Sequence, residues 1–449
     1  QLRHRLPAAL GILIITLSLV IPIRGGLQLA PLSQSSVYFS ASMYANHTAI
    51  NPVWNFIHSY LNQGADKKNP YRYLTETESR SVADSLYTDN GVTTEGIITV
   101  NGKPVNIILV IWESFSEKII HEVIGQKEVT PRFNQYRKEG LFFSNMYASG
   151  DRTSKGIPSI LSGYPALPAT SIIHTPAKAE KLRVITELFR EKGYQTPFYY
   201  GGDPEFANIK SYLLHAGFDP VIGKKNFASK DRTSKWGVHD GVVMPRVFDE
   251  LARTGQPFFA TWLTLSSHEP YETPIPAIFP GKDFTTKFLN AHHYTDQVIG
   301  EFLDKCRAQS WWNNTLVIIT GDHGHPLPKT NQKASEFKTP MLWIGGALQQ
   351  QGVIIDQIVS QLDIAATLAG QLKIDHRSFP FSRNIFSPDY KEWAFFSFND
   401  GFGFINRQGE IIYDNVGNQV VEKIGTPGEM EIKAGKALMQ LTYEDFLKK

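Results

Sequence analysis

The alternation of apolar and polar positions divides the chain into stretches of different character. The first run, "LPAALGILIITLSLVIPI" at 6–23, has no charge over 18 residues, close to the ~20 a helix needs to cross a bilayer. Arg3 and Arg5 precede it, and beyond Arg24 no Lys or Arg appears until Lys67. That asymmetry predicts a transmembrane anchor with the bulk of the protein on the extracytoplasmic side. A cleaved signal peptide is the rival reading, but no small-residue cleavage site follows. The chain begins at Gln1, which leaves room for further spans upstream. In "AINPVWNFIHSYL", Ile50, Val53, Trp54, Ile57, Tyr60 and Leu61 fall on one helical face. We expect that face to pack on the main domain, with the membrane interface as the alternative.

From Val105 the pattern changes. "VNIILVIWES", "QTPFYYGG", "PFFATWLTLSS", "NNTLVIITGDHGH" and "TPMLWIGG" are apolar runs closed by polar or glycine residues, the signature of strands buried on both faces. Between them "KLRVITELFREKGY" reads as a helix. In "HHYTDQVIGEFLDKCRAQ", Tyr294, Val298, Ile299, Phe302, Leu303 and Cys306 recur at helical spacing, which puts Cys306 in the core. Strands alternating with helices predict an α/β fold: a mostly parallel sheet sandwiched by helices. "EWAFFSFND", "GFGFINRQ" and "GEIIYDNV" then predict a small C-terminal α+β addition of antiparallel strands and a terminal helix. The expected organisation is an anchor at 1–24, a linker with amphipathic helices at 25–103, a catalytic domain at 104–385 and the addition at 386–449.

Composition narrows the chemistry. With 449 residues, a formal net charge of +2 and 20% charged residues, the chain has no basic footprint for nucleic acid. The single cysteine, Cys306, excludes an intrachain disulfide and a thiolate metal cluster.

In open parallel sheets ligands sit beyond the carboxyl ends of the strands. Three predicted strands end in polar groups there: Trp112-Glu113-Ser114, Ser266-Ser267-His268-Glu269 and Gly321-Asp322-His323-Gly324-His325. A fourth segment, "GDRTSKGIPSILSG", opens a helix at Thr153 and Ser154 in a loop of the same sheet. Each alone reads as a cap or loop hydrogen bond. Together, Glu113, Thr153, Asp322 and His323 can converge as one mostly oxygen-lined metal site, while whether Thr153 or Ser154 caps the helix or attacks a substrate is open from these residues alone.

In order and spacing, "IWESFS", "GDRTSKGIPSILSG", "SSHEPY", "TGDHGH" and "VSQLDIAATLAG" resemble the alkaline phosphatase/sulfatase superfamily, and within it the lipoteichoic acid synthase-like phosphoglycerol transferases. The resemblance spans about 104–375. It implies an alkaline phosphatase-like fold with Glu113, Thr153, Asp322 and His323 as metal ligands, Thr153 as nucleophile, and His268 beside the substrate phosphate. It also implies one divalent ion, with Mn2+ first and Mg2+ or Zn2+ as alternatives. The donor would be an anionic phospholipid such as phosphatidylglycerol and the acceptor a glycan or polyglycerophosphate hydroxyl, at a bacterial cell membrane. A hydrolase of the same fold and a phosphoethanolamine transferase are the alternatives, the latter matching less well because those compared carry several disulfides. Sulfatases place a Cys or Ser where Thr153 stands, in a Cys/Ser-x-Pro-Ser-Arg pattern. Here the third and fifth positions are Lys155 and Ile157, and Thr cannot yield their aldehyde. Lipoteichoic acid synthases have a His, a Trp and an Arg in the glycerophosphate pocket. The matching region, "FYYGGDPEFANIKSYL", offers Tyr200, Asp203, Asn208 and Lys210 instead. Lys155, Tyr200, Asp203, Asn208, Trp236, His239 and His325 are the candidate substrate contacts, His325 alternatively orienting a metal ligand. Asp363 reads as structural.

Overall fold

The computed structural model describes residues 2–449 except 28–30, 41, 63–67, 88–95, 99–102, 256 and 376. Among the described residues fourteen strands follow in chain order: β1 (Asn106–Trp112), β2 (Val123–Ile124), β3 (Lys127–Glu128), β4 (Leu141–Tyr147), β5 (Phe198–Tyr200), β6 (Val221–Ile222), β7 (Phe259–Leu263), β8 (Thr315–Gly321), β9 (Met341–Ile344), β10 (Val353–Ser360), β11 (Trp393–Phe398), β12 (Gly401–Asn406), β13 (Gly409–Asp414) and β14 (Gln419–Gly425).

Eight of them form one sheet in the order β10-β4-β9-β8-β1-β7-β5-β6. Every neighbouring pair is parallel except the two that involve β9. The mostly apolar runs β1 and β8 are buried at each position, Asn106, Thr315 and Thr320 included, because helices cover both faces. Alternate residues of β1 feed opposite cores. Ile107, Leu109 and Ile111 join Ile157, Ile160 and Leu161 of the helix Thr153–Ser162. Ile108, Val110 and Trp112 join Val243 and Val247 of the helix Asp240–Arg253 and Ile299, Phe302 and Cys306 of the helix Phe284–Arg307. That long helix begins earlier than its apolar spacing indicates, because the Asp283 carboxylate caps it by accepting from Thr286 N. The strand in "QTPFYYGG" shrinks to three residues beside Pro197, which has no N–H for the ladder.

Among the described residues six strands go beyond the expected set: the short β2, β3 and β6, and the longer β4, β10 and β14. β4 carries Ser144 and Asn145 in the middle of its run, and β10, at the sheet edge, alternates exposed and half-buried residues before its buried end. β14 completes the antiparallel sheet β11-β12-β13-β14, which is covered by the helix Glu429–Lys448. Gln440 of that helix accepts from Tyr73 N and Leu74 N and so holds the segment before the helix Glu76–Leu86.

At the N-terminus one helix among the described residues is long and apolar enough to cross a membrane, Arg5–Pro22, with none of it buried. The helix Pro52–Asn62 forms where the periodicity places it, but its stripe is only partly covered, with Trp54 half-buried. Ile50 is buried, whereas Val53, Ile57 and Tyr60 face outward. The Leu61 side chain lies outside the described residues.

Candidate active site

The helix Thr153–Ser162 opens the site. Arg152, in extended conformation, is its N-cap, so Thr153 is the first helical residue rather than the cap. Pro158 inside the helix removes the N–H that would bond Ser154 O, and Ser171 Oγ donates to that carbonyl instead at 2.5 Å. The helix stops at Gly163 in the left-handed conformation, φ 58°. One turn after Thr153 stands Gly156, where a Cβ would meet Asp322 O at 2.0 Å. Only a glycine lets this helix lie against the end of β8, and that contact brings Thr153 to the acids.

The strand ends supply the rest. Glu113, Asp322 and His323 offer ligand atoms within 4.8 Å of one another, and all three are buried. Thr153 Oγ1 donates to Glu113 Oε2 at 3.1 Å, while the residue itself remains half exposed. Glu113 is fixed through its backbone, its N–H bonding Thr264 Oγ1 and its carbonyl accepting from Ser267 Oγ. Ser114 adopts φ 57°, an uncommon conformation for a residue with a Cβ. It turns its N–H to Asp322 Oδ1 at 2.8 Å and its Oγ to Glu113 Oε1 at 2.8 Å. The other end of Asp322 is held by Gln361, whose Nε2 donates to the carbonyls of Gly321 and Asp322. His323 Nδ1 lies 2.7 Å from Gly324 O, leaving Nε2 at 3.4 Å from Asp322 Oδ2 and 3.6 Å from Glu113 Oε1.

Two buried carboxylates this close repel each other. Burial and then Glu113 push Asp322 upward. Against its own burial, Glu113 is held well below the usual carboxylate range by His268, His323 and the Ser114 hydroxyl. Burial opposes the charge on His323, but Asp322 and Glu113 outweigh it and raise the imidazole to about 9. One oxygen stays unmatched: Asp322 Oδ2 is buried with no hydrogen-bond partner. Buried polar atoms are rarely left so. Carboxylate, hydroxyl and imidazole donors around that oxygen fit a divalent cation such as Mn2+, Mg2+ or Zn2+.

The remaining candidates divide. His268 is half exposed beside the cluster, with Nδ1 at 2.9 Å from Glu269 O, which leaves Nε2 free. The Trp236 ring meets His268 edge to face at 5.0 Å and its Nε1 donates to Glu269 O. Burial, then Glu113 and Asp322, push the Tyr200 phenol up, which places it in the field of the cluster. The other five candidates have partners within the chain. The buried Lys155 ammonium bonds Asp151 and the Pro168 carbonyl. Asp203 pairs with Lys224 at 3.0 Å. Asn208 spends its amide oxygen on Ser35 and its nitrogen on His174 O. His239 is a buried helix cap whose Nδ1 lies 3.5 Å from Ser266 Oγ. His325 is stacked on Phe288 and uses both ring nitrogens, one accepting from Leu327 N and one against Tyr271 Oη.

Sequence reading missed Ser114, Gly156, Asp240 and Gln361. Asp240 is buried and accepts Leu265 N and Ser266 N at 2.8 Å each, which fixes the turn that presents His268. No spacing announces such residues, since each acts through a tertiary approach.

The overall arrangement recurs in solved structures. A protein of the alkaline phosphatase superfamily from Vibrio parahaemolyticus superposes with a TM-score of 0.72 at 24% identity, covering 84% of this chain and 97% of that one. The lipoteichoic acid synthase LtaP from Listeria monocytogenes gives 0.68 at 17%, covering 83% and 98%. Among curated proteins, phosphoglycerol transferase I of Xanthomonas campestris pv. campestris (strain B100) is 26% identical over 310 residues, which is 63% of this chain and 43% of that protein. Lipoteichoic acid synthase 2 of Bacillus subtilis (strain 168) is 22% identical over 354 residues, 73% of this chain and 54% of that protein. The chain thus spans about half the length of the curated relatives it matches. The sulfatase family model covers residues 105–374, the stretch that contains β1, the Thr153 helix and the Asp322–His323 strand end, and on that match the chain belongs to the sulfatase family.

Proposed function

We propose that this chain is a membrane-anchored, metal-dependent phosphoglycerol transferase with its catalytic domain outside the cytoplasm. Its donor would be an anionic phospholipid of the phosphatidylglycerol type, and its acceptor a hydroxyl of a glycan or glycerophosphate chain. One piece of geometry supports this most: a threonine hydroxyl at a helix start, 3.1 Å from Glu113, beside a buried Asp322 oxygen that has no hydrogen-bond partner and faces the His323 imidazole at 3.4 Å. The names phosphoglycerol transferase I and lipoteichoic acid synthase 2, borne by relatives about twice as long, support the choice of group. The Thr153 side chain argues against sulfatase chemistry through an aldehyde hydrate, despite the family's description.

In the first half-reaction Thr153 Oγ1, its proton released to solvent beforehand, forms a bond to phosphorus as the bond from phosphorus to the diacylglycerol oxygen breaks. In the second half it departs as the same alkoxide. Before its release the hydroxyl hydrogen points at Glu113 Oε2, so the oxygen lone pairs face away from that carboxylate. The N-terminus of the Thr153–Ser162 helix presents its free N–H groups to the phosphoryl oxygens. His268 Nε2, left free by the Nδ1 contact to Glu269 O, gives a proton to the departing oxygen. In the second half-reaction the same nitrogen takes the proton of the acceptor hydroxyl as it displaces Thr153. Tyr200 and Trp236 would line the headgroup side. A divalent cation held by Glu113, Thr153, Asp322 and His323 supplies the positive charge against which an alcohol ionises near neutral pH.

Mass spectrometry of protein trapped with phosphatidylglycerol is expected to find a glycerophosphate adduct on the peptide spanning 150–163. An unmodified peptide under turnover would remove Thr153 as nucleophile. Fluorescent phosphatidylglycerol incubated with and without acceptor separates transfer from hydrolysis. Release of glycerophosphate to water alone would make the chain a hydrolase of the same fold.

A further inference from the structure

On the helix Pro52–Asn62, Val53, Phe56, Ile57 and Tyr60 stand at the i, i+3, i+4, i+7 spacing of one face, and they are 65%, 71%, 51% and 67% exposed. Phe56 and Tyr60 stack on each other at 6.5 Å. Phe39 and Tyr44, shortly before, are exposed as well. The helix reads "PVWNFIHSYLN", with no charged residue on any side. A surface helix normally turns such a stripe inward and charges toward water. Contiguous exposed apolar surface marks a contact.

The helix is fastened to the catalytic domain. Gln34 Nε2 donates to Asn55 Oδ1 at 3.1 Å, Ser33 Oγ to Glu205 O at 2.8 Å, and Ser35 N and Oγ to Asn208 Oδ1. Residues 205–208 lie in the loop that follows β5, the strand that ends on Tyr200. In the same loop the exposed Phe206 lies 5.9 Å from the Trp236 ring, and Trp236 touches His268. The helix is therefore anchored at the rim of the catalytic cleft. In the chain it follows the apolar, fully unburied helix Arg5–Pro22.

We propose that the Val53–Phe56–Ile57–Tyr60 face lies in the interfacial layer of the lipid bilayer and holds the mouth of the cleft at headgroup level. A bilayer is the occupant that fits, because the same chain carries a helix apolar enough to span one, and because uncharged, aromatic-rich surface suits the headgroup layer. The second half, delivery of a phospholipid headgroup to Thr153, rests on the function proposed above; the first half does not.

The full chain, reconstituted in vesicles of phosphatidylcholine and phosphatidylglycerol, provides the test. Cys306 is buried, so a fluorophore attaches selectively to Ile57→Cys or, as control, to Val416→Cys on the exposed β13–β14 turn. Lipids with a nitroxide near the headgroup are expected to quench the label at 57 at least ~threefold more than the label at 416. Equal quenching overturns the interfacial placement. In addition, the double substitution Phe56→Ser and Tyr60→Ser is expected to lower turnover of bilayer phosphatidylglycerol ~tenfold while leaving a soluble short-chain analogue unchanged. Equal loss on both donors means a folding role and also overturns it. Wild-type protein that turns over neither donor removes the phospholipid reading, and the quenching result then decides the placement by itself.

Discussion

Asp322 and Asp363 are both fully buried at the carboxyl ends of strands in one sheet, after β8 and β10, yet their surroundings are opposite. Arg383 Nε and a terminal guanidinium nitrogen bond the two Asp363 oxygens at 2.9 and 2.6 Å, and Arg383 N, Ser360 N and Tyr390 Oη fill the remaining lone pairs. The guanidinium is itself placed over the Trp393 ring at 3.6 Å. Asp322 has two N–H donors on Oδ1, from Ser114 and His323, none on Oδ2, and a second carboxylate, Glu113, in the same pocket. A buried carboxylate needs neutralising. Asp363 has a guanidinium bonded to both of its oxygens, whereas Asp322 shares one imidazole, His323 at 3.4 Å, with Glu113, a donor set that fits a divalent cation. The same residue type in the same topological position serves as a structural joint in one case and as a cation holder in the other.

The widest separation is expected in activity. Thr153→Ala should lower transfer by at least ~10^3-fold, the scale on which nucleophile removal acts, with no loss of unfolding free energy in chelator. Asp322→Asn should do the same and also remove charge repulsion from the pocket. Radiolabelled lipid turnover beside urea unfolding measures both. A variant at either position that keeps activity would make Asp322 another Asp363.

Next comes stability. Asp363→Asn leaves Arg383 buried without its counter-charge, so it should cost about 3–5 kcal/mol. The fraction that stays folded should bind Mn2+ as wild type does. Unfolding near that of wild type would mean that Asp363 is not the partner on which Arg383 depends.

Much of this was legible in the sequence. Glu113, Asp322 and His323 stand out because each ends an unbroken apolar run, and such a run must become a strand covered on both faces. Thr153 stands out because an apolar run with helical content begins at it. What stayed hidden depends on where other parts of the chain lie. Nothing local in "DRTSKGIPS" says that Gly156 must clear the Asp322 carbonyl, or in "IWESFS" that Ser114 turns left-handed to bond two acids. Polar loop residues such as Asn208 and Lys155 do not announce their partners within the chain, which are Ser35 and His174 for the first and Asp151 and Pro168 for the second. The periodicity of residues 50–61 specified a helix, but a stripe does not say whether protein or lipid will cover it.

A cation should discriminate the two acids directly. A divalent ion at ~100 times its dissociation constant stabilises a folded protein by about 2.7 kcal/mol. Wild type should gain on that scale in Mn2+, Asp363→Asn should gain equally, and Asp322→Asn should gain nothing. A thermal shift common to all three would place the ion elsewhere. Gly156→Ala should also reduce the gain, since a Cβ 2.0 Å from Asp322 O must push the helix away from the acids.

A third buried acid shows what happens where no guanidinium bonds the carboxylate and the nearby Arg132 charge is outweighed by burial. Asp296 accepts Arg132 N at 2.9 Å and Phe133 N at 2.8 Å, and burial still pushes it up to about 7. Its answer is a proton. Because the folded state holds that proton more tightly than an unfolded Asp near ~3.9, its contribution is complete below about pH 4 and is lost as pH rises through about 7. The slope is at most about 1.4 kcal/mol per pH unit for one group. Asp240, raised by burial to about 6, has the same sign over a narrower window. Asp296→Asn keeps one accepting oxygen, so it should cost about 1–3 kcal/mol below about pH 4, where neither side chain is charged, for the N–H left unbonded, and less as pH rises. It should also flatten the fall in urea stability between pH 5 and 7. If wild-type stability instead rose over that interval and the variant removed the rise, Asp296 would be ionised and paired in the manner of Asp363, and a proton would not be a third way of settling a buried carboxylate here.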